Sequence, residues 1–254
     1  MNSLPFAPLG AVFDVDETIL DNGHQTLGVG YHEKFRLQAI HEIGKENDIP
    51  ELVEMTIEDS MVAFRTAFEH TFSASLWNML CMAGVRNNQN EINELDPLHL
   101  AITVRKNQLY KQALKSEILP IAGAKKLISS MYLLCDGHLA ISSTALRIDI
   151  DTFLQANDLD KYFTSERIFS LEDLTHAKPH KESFIKGFLS LGLPESARKN
   201  VIAFEDAPNG VISAKKAGLY TVAITTHFSK DELMSATHTP DLVIDRYSEL
   251  TLNI

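Results

Sequence analysis

Two carboxylates stand two positions apart in Phe13-Asp14-Val15-Asp16-Glu17-Thr18, directly after the apolar run Ala11-Val12-Phe13. At the end of a buried strand both can project into the crevice where open α/β sheets bind ligands. A lone Asp-x-Asp serves equally well as a polar turn, so the other apolar runs matter. Leu139-Ala140-Ile141 is followed by Ser142, Ser143 and Thr144, which can cap the next helix and present hydroxyl and amide donors to an anion. Lys178 precedes Pro179, which biases it toward an extended conformation and suits the first turn of a following helix. An ammonium at the head of a crossover helix faces the same crevice and could offset clustered carboxylates and a phosphoryl group. Glu205-Asp206 follows Val201-Ile202-Ala203-Phe204, and Asn209-Gly210 opens another helix. These carboxylates would repel Asp14 and Asp16 unless positive charge sat between them. A hard cation such as Mg²⁺, which takes a few carboxylates plus water and phosphate oxygens, meets that need.

Such groups need a frame. The runs 11–14, 139–142, 201–205 and 221–224 read as buried strands of a parallel sheet. Helical patterns lie between them at 124–134, 146–154, 181–191 and 211–217, the last closed by Gly218 as a C-cap. This alternation predicts an α/β fold. It fails between residues 22 and 118, where helical patterns at 35–43, 57–72, 76–82 and 97–114 and a polar loop at 87–90 indicate an inserted helical domain. Pro120 and Gly123 mark the return, so 1–21 and 119–254 are expected to form the sheet domain and 22–118 the insertion. Met55, Phe64, Phe68, Phe72, Trp77 and Met79 are expected in the core of the insertion. The acidic positions Glu51, Glu54, Glu58 and Asp59 read as a solvated face.

Composition excludes several classes. The 254 residues allow one large domain or two smaller ones, and 44% hydrophobic with 22% charged residues describes a folded globular chain. Lys+Arg 23 against Asp+Glu 34 leaves a net charge of −11, which opposes binding to nucleic acid or an anionic membrane. Cys81 and Cys135 form no CxxC pair, so neither a disulfide framework nor a cysteine zinc site is expected, and a reducing compartment fits. The first basic residue is Lys34 and no apolar run approaches the ~18 residues of a membrane span; a cytoplasmic location is expected. His41-Glu42-Ile43-Gly44-Lys45 lacks the second histidine of an HExxH zinc motif, and the other nine histidines read as surface or capping residues without ligand spacing. Gly28-Val29-Gly30 has no third glycine and reads as a hinge loop.

In this order, Asp14-Val15-Asp16-Glu17-Thr18, Ser143, Lys178-Pro179 and Glu205-Asp206-Ala207-Pro208-Asn209-Gly210 resemble the four motifs of the haloacid dehalogenase superfamily of phosphatases and phosphomutases. The insertion resembles that family's C1-type cap, and the set is most similar to the β-phosphoglucomutase and phosphoglycolate phosphatase-like branch. The resemblance implies a Rossmann-like parallel sheet core with an inserted all-helical cap. It implies Asp14 as nucleophile, Asp16 as general acid and then base, Thr18 orienting the loop, Ser143 and Thr144 binding the phosphoryl group, and Lys178 balancing charge there. Mg²⁺ would be held by Asp14, the backbone carbonyl of Asp16 and Asp206, with Glu205 direct or one water removed. Asp16 is absent or replaced in the family's dehalogenases and phosphonatases, so its presence implies phosphate esters. Glu17 stands where this branch usually has Gly, so a positive-φ turn is not expected there.

The resulting expectation is a Mg²⁺-dependent phosphatase of a small phosphorylated metabolite, a monomer or weak homodimer. The alternative is a phosphohexose mutase of the β-phosphoglucomutase type, with His32 as a hinge histidine. A phosphorylation-sensing receiver also gathers carboxylates, a hydroxyl and a lysine, but is about half this length and places its phosphoacceptor after an internal strand. Residues 22–118 carry 9 Lys+Arg and 13 Asp+Glu, a balance of −4, which favours small monoesters over polyanions. Arg65, Arg86, Lys106 and Arg147 are candidate substrate contacts whose default reading is surface cations.

Overall fold

Gly10–Phe13 (β1) is apolar and buried at every position, as a strand covered on both faces must be. It is flanked on one side by β2 (Leu139–Ser142) and on the other by β4 (Val201–Glu205), both parallel to it and both fully buried. With β3 (Ile168–Phe169), β5 (Tyr220–Ile224) and β6 (Leu242–Ile244) they form a six-stranded parallel sheet of order β3-β2-β1-β4-β5-β6. This computed structural model describes residues 2–67, 72–235 and 237–252, with the side chain of Gln25 also outside the description.

Register sets where the site is. Phe13 pairs with Ile141 and with Phe204, so β1, β2 and β4 end level and the residues after them share one edge. The Phe13 and Phe204 rings stack with centroids 4.8 Å apart, fixing these two strands side by side. Succession β1, β2, β3 runs one way and β4, β5, β6 the other, so the order reverses at β1. The crevice beyond the carboxyl ends at such a reversal is where open α/β sheets take ligands.

The helices at Ala124–Leu134, Arg147–Ala156, Glu182–Ser190 and Pro208–Lys216 follow the expected alternation. Phe184, Phe188, Leu191, Ala214 and Ala217 pack on Val12, Ala140, Val201 and Ala203 to make one face of the core. Gly218 terminates its helix at φ 79° while its N–H donates to Lys215 O, as a left-handed C-cap should. Hydroxyl capping after β2 does not occur: the helix there opens at Arg147 with Leu146 as N-cap and no side-chain cap. Ser143 Oγ instead accepts from Ala145 N–H at 3.0 Å, which spends the hydroxyl on the loop two residues on. Strands β3 and β6, the short ladder Asn2–Ser3 with Leu250–Thr251, and the helix Pro50–Val53 were not expected.

The chain divides into two compact units, Met1–Gln25 with Leu114–Ile254, and Thr26–Ala113. The second is helical, with helices at Tyr31–Glu46, Ile57–Thr66, Phe72–Met82 and Pro97–Ser116, the last running on into the first unit. Its own core contains Ile40, Leu52, Met55, Leu76, Trp77, Met79, Leu80 and Ile102, with Phe72 against it. Phe64 departs from expectation and is 41% exposed; Phe68 lies outside the described residues. The helix expected over 57–72 ends at Thr66, with Ala67 extended. Asn78 Nδ2 donates there to Ala63 O and Thr66 Oγ1, satisfying a terminal carbonyl that the next helical turn would otherwise take.

Candidate active site

Asp14 continues the ladder one residue past β1, its N–H donating to Phe204 O at 3.0 Å. The chain then turns sharply: the N–H groups of Thr18, Ile19 and Leu20 all donate to Val15 O. Glu17 sits in this turn at φ 55°, contrary to the expectation for a non-glycine residue. The left-handed backbone, which costs an L-residue on the order of 1–2 kcal/mol, is held from several sides. Glu17 N–H donates to Leu20 O at 2.8 Å and Glu17 O accepts from Thr226 Oγ1. The side chain is buried, with Oε1 accepting from His24 N–H at 3.3 Å, and burial pushes its carboxyl up to about 7. One residue on, Thr18 O accepts from the buried Tyr247 hydroxyl at 2.7 Å.

Opposite this turn lies Lys178. Its Nζ donates to Asp14 Oδ1 at 2.5 Å, to Glu205 Oε1 at 2.6 Å and to Ser142 O at 2.9 Å, which uses all three of its protons. Lys178 does not head a helix as expected; the next helix opens at Glu182. Glu182 folds back instead, accepting from Thr175 and His176 N–H, so residues 175–182 form a closed loop with Lys178 inside it. Glu205 Oε2 accepts from Asp206 and Ala207 N–H. Its carboxylate lies over Gly210, where an added Cβ would fall 1.8 Å from Oε1. That is why the helix after β4 must open with a glycine at this position.

Asp14, Glu205 and Asp206 bring one carboxylate oxygen each within 4.8 Å of one another, all three buried. Asp16 is half-buried at the rim, Ser143 is buried and Thr144 exposed. Burial pushes Asp14 up, and Glu205 adds to that, against the pull of Lys178; Asp206 is raised by burial and then by Glu205 and Asp14. Burial acts the other way on Lys178, but the charges of Asp14 and Glu205 outweigh it and hold the ammonium above the ordinary lysine range. Three carboxylates thus face one ammonium, a balance that disfavours ionisation of Asp14 and Asp206 unless further positive charge is present. The donor set is all oxygen and hard, which fits Mg²⁺ rather than a thiophilic metal. Two buried hydroxyls in this region, Thr18 Oγ1 and Ser142 Oγ, have no hydrogen-bond partner.

Residues 11–224, the span from β1 to the end of β5, match the haloacid dehalogenase-like hydrolase family. The chain belongs to that family. It is 32% identical over 117 residues to glycerol-1-phosphate phosphohydrolase 1 of Saccharomyces cerevisiae, a stretch covering 44% of this chain and 46% of that protein. The chain spans about half the length of the curated relatives it matches. Among solved structures, a family IA, variant 3 hydrolase of Entamoeba histolytica superposes with a TM-score of 0.68 at 20% identity, covering 96% of this chain and 95% of that one. CbbY of Rhodobacter sphaeroides in complex with phosphate gives 0.64 at 18% identity, with 95% and 96% covered. Both likenesses concern the fold.

For this haloacid dehalogenase-like hydrolase the candidate cations of the sequence are largely committed. Arg65 pairs with Glu58, Arg86 forms a two-point pair with Asp96, and Arg147 pairs with Asp151 and Ser165. Lys106 is not a surface residue: it is 7% exposed, beside His32 Nδ1 at 2.9 Å and over the rings of Phe72 and Tyr110. Arg36, buried at 2% exposure on Ser60 and Ser75, was not singled out in the sequence. Neither were Thr226 and Tyr247, which hold the Asp14 turn. Both cysteines are free, and among the described residues no helix is long and apolar enough to cross a membrane.

Proposed function

We propose that this chain is a Mg²⁺-dependent phosphatase that hydrolyses a small phosphate monoester through an aspartyl-phosphate. The observation that carries this reading is the Lys178 ammonium shared between Asp14 and Glu205, with Asp206 alongside, at the reversal point of the sheet. Asp14 attacks phosphorus while Asp16 gives its proton to the departing ester oxygen. Asp16, now a carboxylate, takes a proton from water, which attacks the same phosphorus and restores the Asp14 carboxylate as phosphate leaves. Lys178 offsets the charge of the carboxylates and the phosphoryl oxygens; Ser143 and the exposed Thr144 donate to those oxygens. Mg²⁺, held by Asp14, the backbone carbonyl of Asp16 and Asp206, with Glu205 direct or through water, supplies further charge neutralisation at the transferred group. Thr18 keeps the turn after Asp16 in shape through its carbonyl bond to Tyr247.

The net charge and the phosphohydrolase name of the yeast relative support a small, singly phosphorylated metabolite, with a polyol phosphate as the first candidate and the helical unit as the element that selects it. The test is phosphate release from glycerol 1-phosphate, phosphoglycolate and hexose phosphates with Mg²⁺, wild type beside Asp14→Asn. Wild type should turn over at least one ester, and Asp14→Asn should lose about 10⁴-fold or more. Interconversion of hexose phosphates without phosphate release would replace the phosphatase by a mutase; equal rates in the two proteins would remove Asp14 from the chemistry.

A further inference from the structure

The loop that carries Lys178 holds a second group of ligand-type side chains that the proposed hydrolysis does not use. His176, His180 and Glu182 place one ligand atom each within 4.8 Å of the others, and among the described residues this and the Asp14 group are the two such sets. His176 Nδ1 lies 3.2 Å and His180 Nδ1 4.0 Å from Glu182 Oε2, with the two rings 4.5 Å apart. Metal–ligand bonds of about 2.0–2.1 Å in a tetrahedron put ligand atoms roughly 3.3 Å apart. The His176–Glu182 pair is therefore at that spacing, and the His180–Glu182 pair has roughly 0.7 Å to close.

The carboxylate is already oriented for this. Glu182 Oε1 is taken by Lys186 Nζ at 2.8 Å and Thr175 N–H at 3.0 Å, which turns Oε2 toward both imidazoles. His176 N–H donates to Oε2 at 2.9 Å. The backbone of His180 is tied down by its N–H on Ala177 O and by Ser213 Oγ on its carbonyl at 2.6 Å. Its Nδ1 accepts from Glu182 N–H at 3.3 Å, a long contact that a metal on Nδ1 would replace. The bonds to Glu182 Oε1 and to the His180 backbone are of the kind that fix metal ligands in place.

We propose that His176, His180 and Glu182 form a second cation site that takes Zn²⁺. Two imidazoles and one carboxylate make a borderline donor set, softer than the all-oxygen group at Asp14, and three protein ligands leave the fourth position of a tetrahedron to water. On binding, the imidazole nitrogens lose any proton they carry to solvent and bond the metal instead. Lys178 lies between His176 and His180 in sequence, so a bound Zn²⁺ would cross-link both flanks of the loop that aims its ammonium. This site does not depend on the phosphatase reading.

The test uses the full chain without an affinity tag, in saturating Mg²⁺ so that the Asp14 group is filled, titrated with Zn²⁺ against a chromogenic chelator. Wild type should take up one equivalent. The His176→Ala/His180→Ala variant should bind at least roughly 10- to 100-fold more weakly, since loss of a mere supporting bond costs that much elsewhere; Glu182→Gln should weaken binding too. The two histidine side chains are 62% and 49% exposed, so the double variant should melt as wild type does in Mg²⁺ alone. His180→Gln is the milder variant should it not. With Co²⁺ as the probe, wild type should show the intense visible bands of a four-coordinate ion and the variants should not. No Zn²⁺ uptake by wild type, or uptake unchanged in a folded histidine variant, would overturn the proposal.

Discussion

Lys178 answers two buried carboxylates with one ammonium, so deleting it strands both. Breaking a buried pair from one side costs about 3–5 kcal/mol, and Lys178→Ala should lower the urea midpoint accordingly when measured without Mg²⁺. Adding Mg²⁺ should recover part of the loss of stability but not the turnover. A midpoint unchanged in both conditions would mean that the Asp14 and Glu205 contacts contribute nothing. At this scale the sequence is informative where chemistry-bearing residues follow an apolar run. Asp14, Glu205 and Asp206 are visible that way and Lys178 through the proline that follows it, and the structure brings all four together. Glu17 shows the limit: an expectation drawn from its residue type alone missed a turn held by Thr226 from 209 residues away. The expectation that no histidines had ligand spacing likewise missed His176 and His180, which stand four apart; the segment between them is not a helix, and only the loop folded back onto Glu182 unites the three.

The turn from Val15 to Leu20 is an element that depends on two distant donors, Thr226 and Tyr247. Tyr247→Phe removes the hydroxyl that serves Thr18 O and leaves a carbonyl without its buried donor, at a cost of about 1–3 kcal/mol. Turnover should fall with KM little changed, because the fault lies in the aim of Asp14 and Asp16; a change confined to KM would contradict this. The loop 175–182 gives a prediction in pH. Glu182 is held down to about 2 from an ordinary 4.5, chiefly by Lys186 and then by the Thr175 N–H. A depressed carboxyl stabilises the fold fully above its unfolded pKa and loses that contribution as pH falls. The gap in urea midpoint between wild type and Glu182→Gln should therefore be constant above pH 4.5 and close toward pH 2; a gap that widens on acidification would reverse the assignment. Elements legible in the sequence were those with enough residues to show a period, such as Ala124–Leu134 and Val201–Glu205. Ile168–Phe169 has only two residues, and its strand character comes from pairing with Ile141 and Ser142, which no local pattern encodes.

For the molecule as a whole, folding gathers the carboxylates of Asp14, Glu205 and Asp206 that the unfolded chain holds apart, so on the proposed function a divalent cation should bind the folded state in preference. Mg²⁺ at about 100 times its Kd should add about 2.7 kcal/mol of stability, read as a rise in thermal midpoint, and Asp206→Asn should abolish most of that rise. A rise unaffected by Asp206→Asn would place the ion elsewhere. The change of period along the chain led to an expected insertion at 22–118, and the structure has a compact unit at Thr26–Ala113; the strand order had no such signal, since parallel neighbours leave no mark on each other's sequence. That order has a consequence for biosynthesis. β1 is the inner strand of the sheet, yet both of its partners lie far downstream, the nearer in sequence beginning at Leu139 and the other ending at Glu205. A ribosome adding ~5–20 residues per second needs on the order of 10–40 s between Asp14 and Glu205. Until Leu139–Ser142 has been added Gly10–Phe13 is an apolar segment with two open edges, and until Val201–Glu205 follows one edge stays open and Asp14 lacks its neighbours Glu205 and Asp206. An open apolar edge is a template for pairing with other chains, so the nascent chain carries that hazard for the interval, and the three carboxylates can meet only once Glu205-Asp206 has been made.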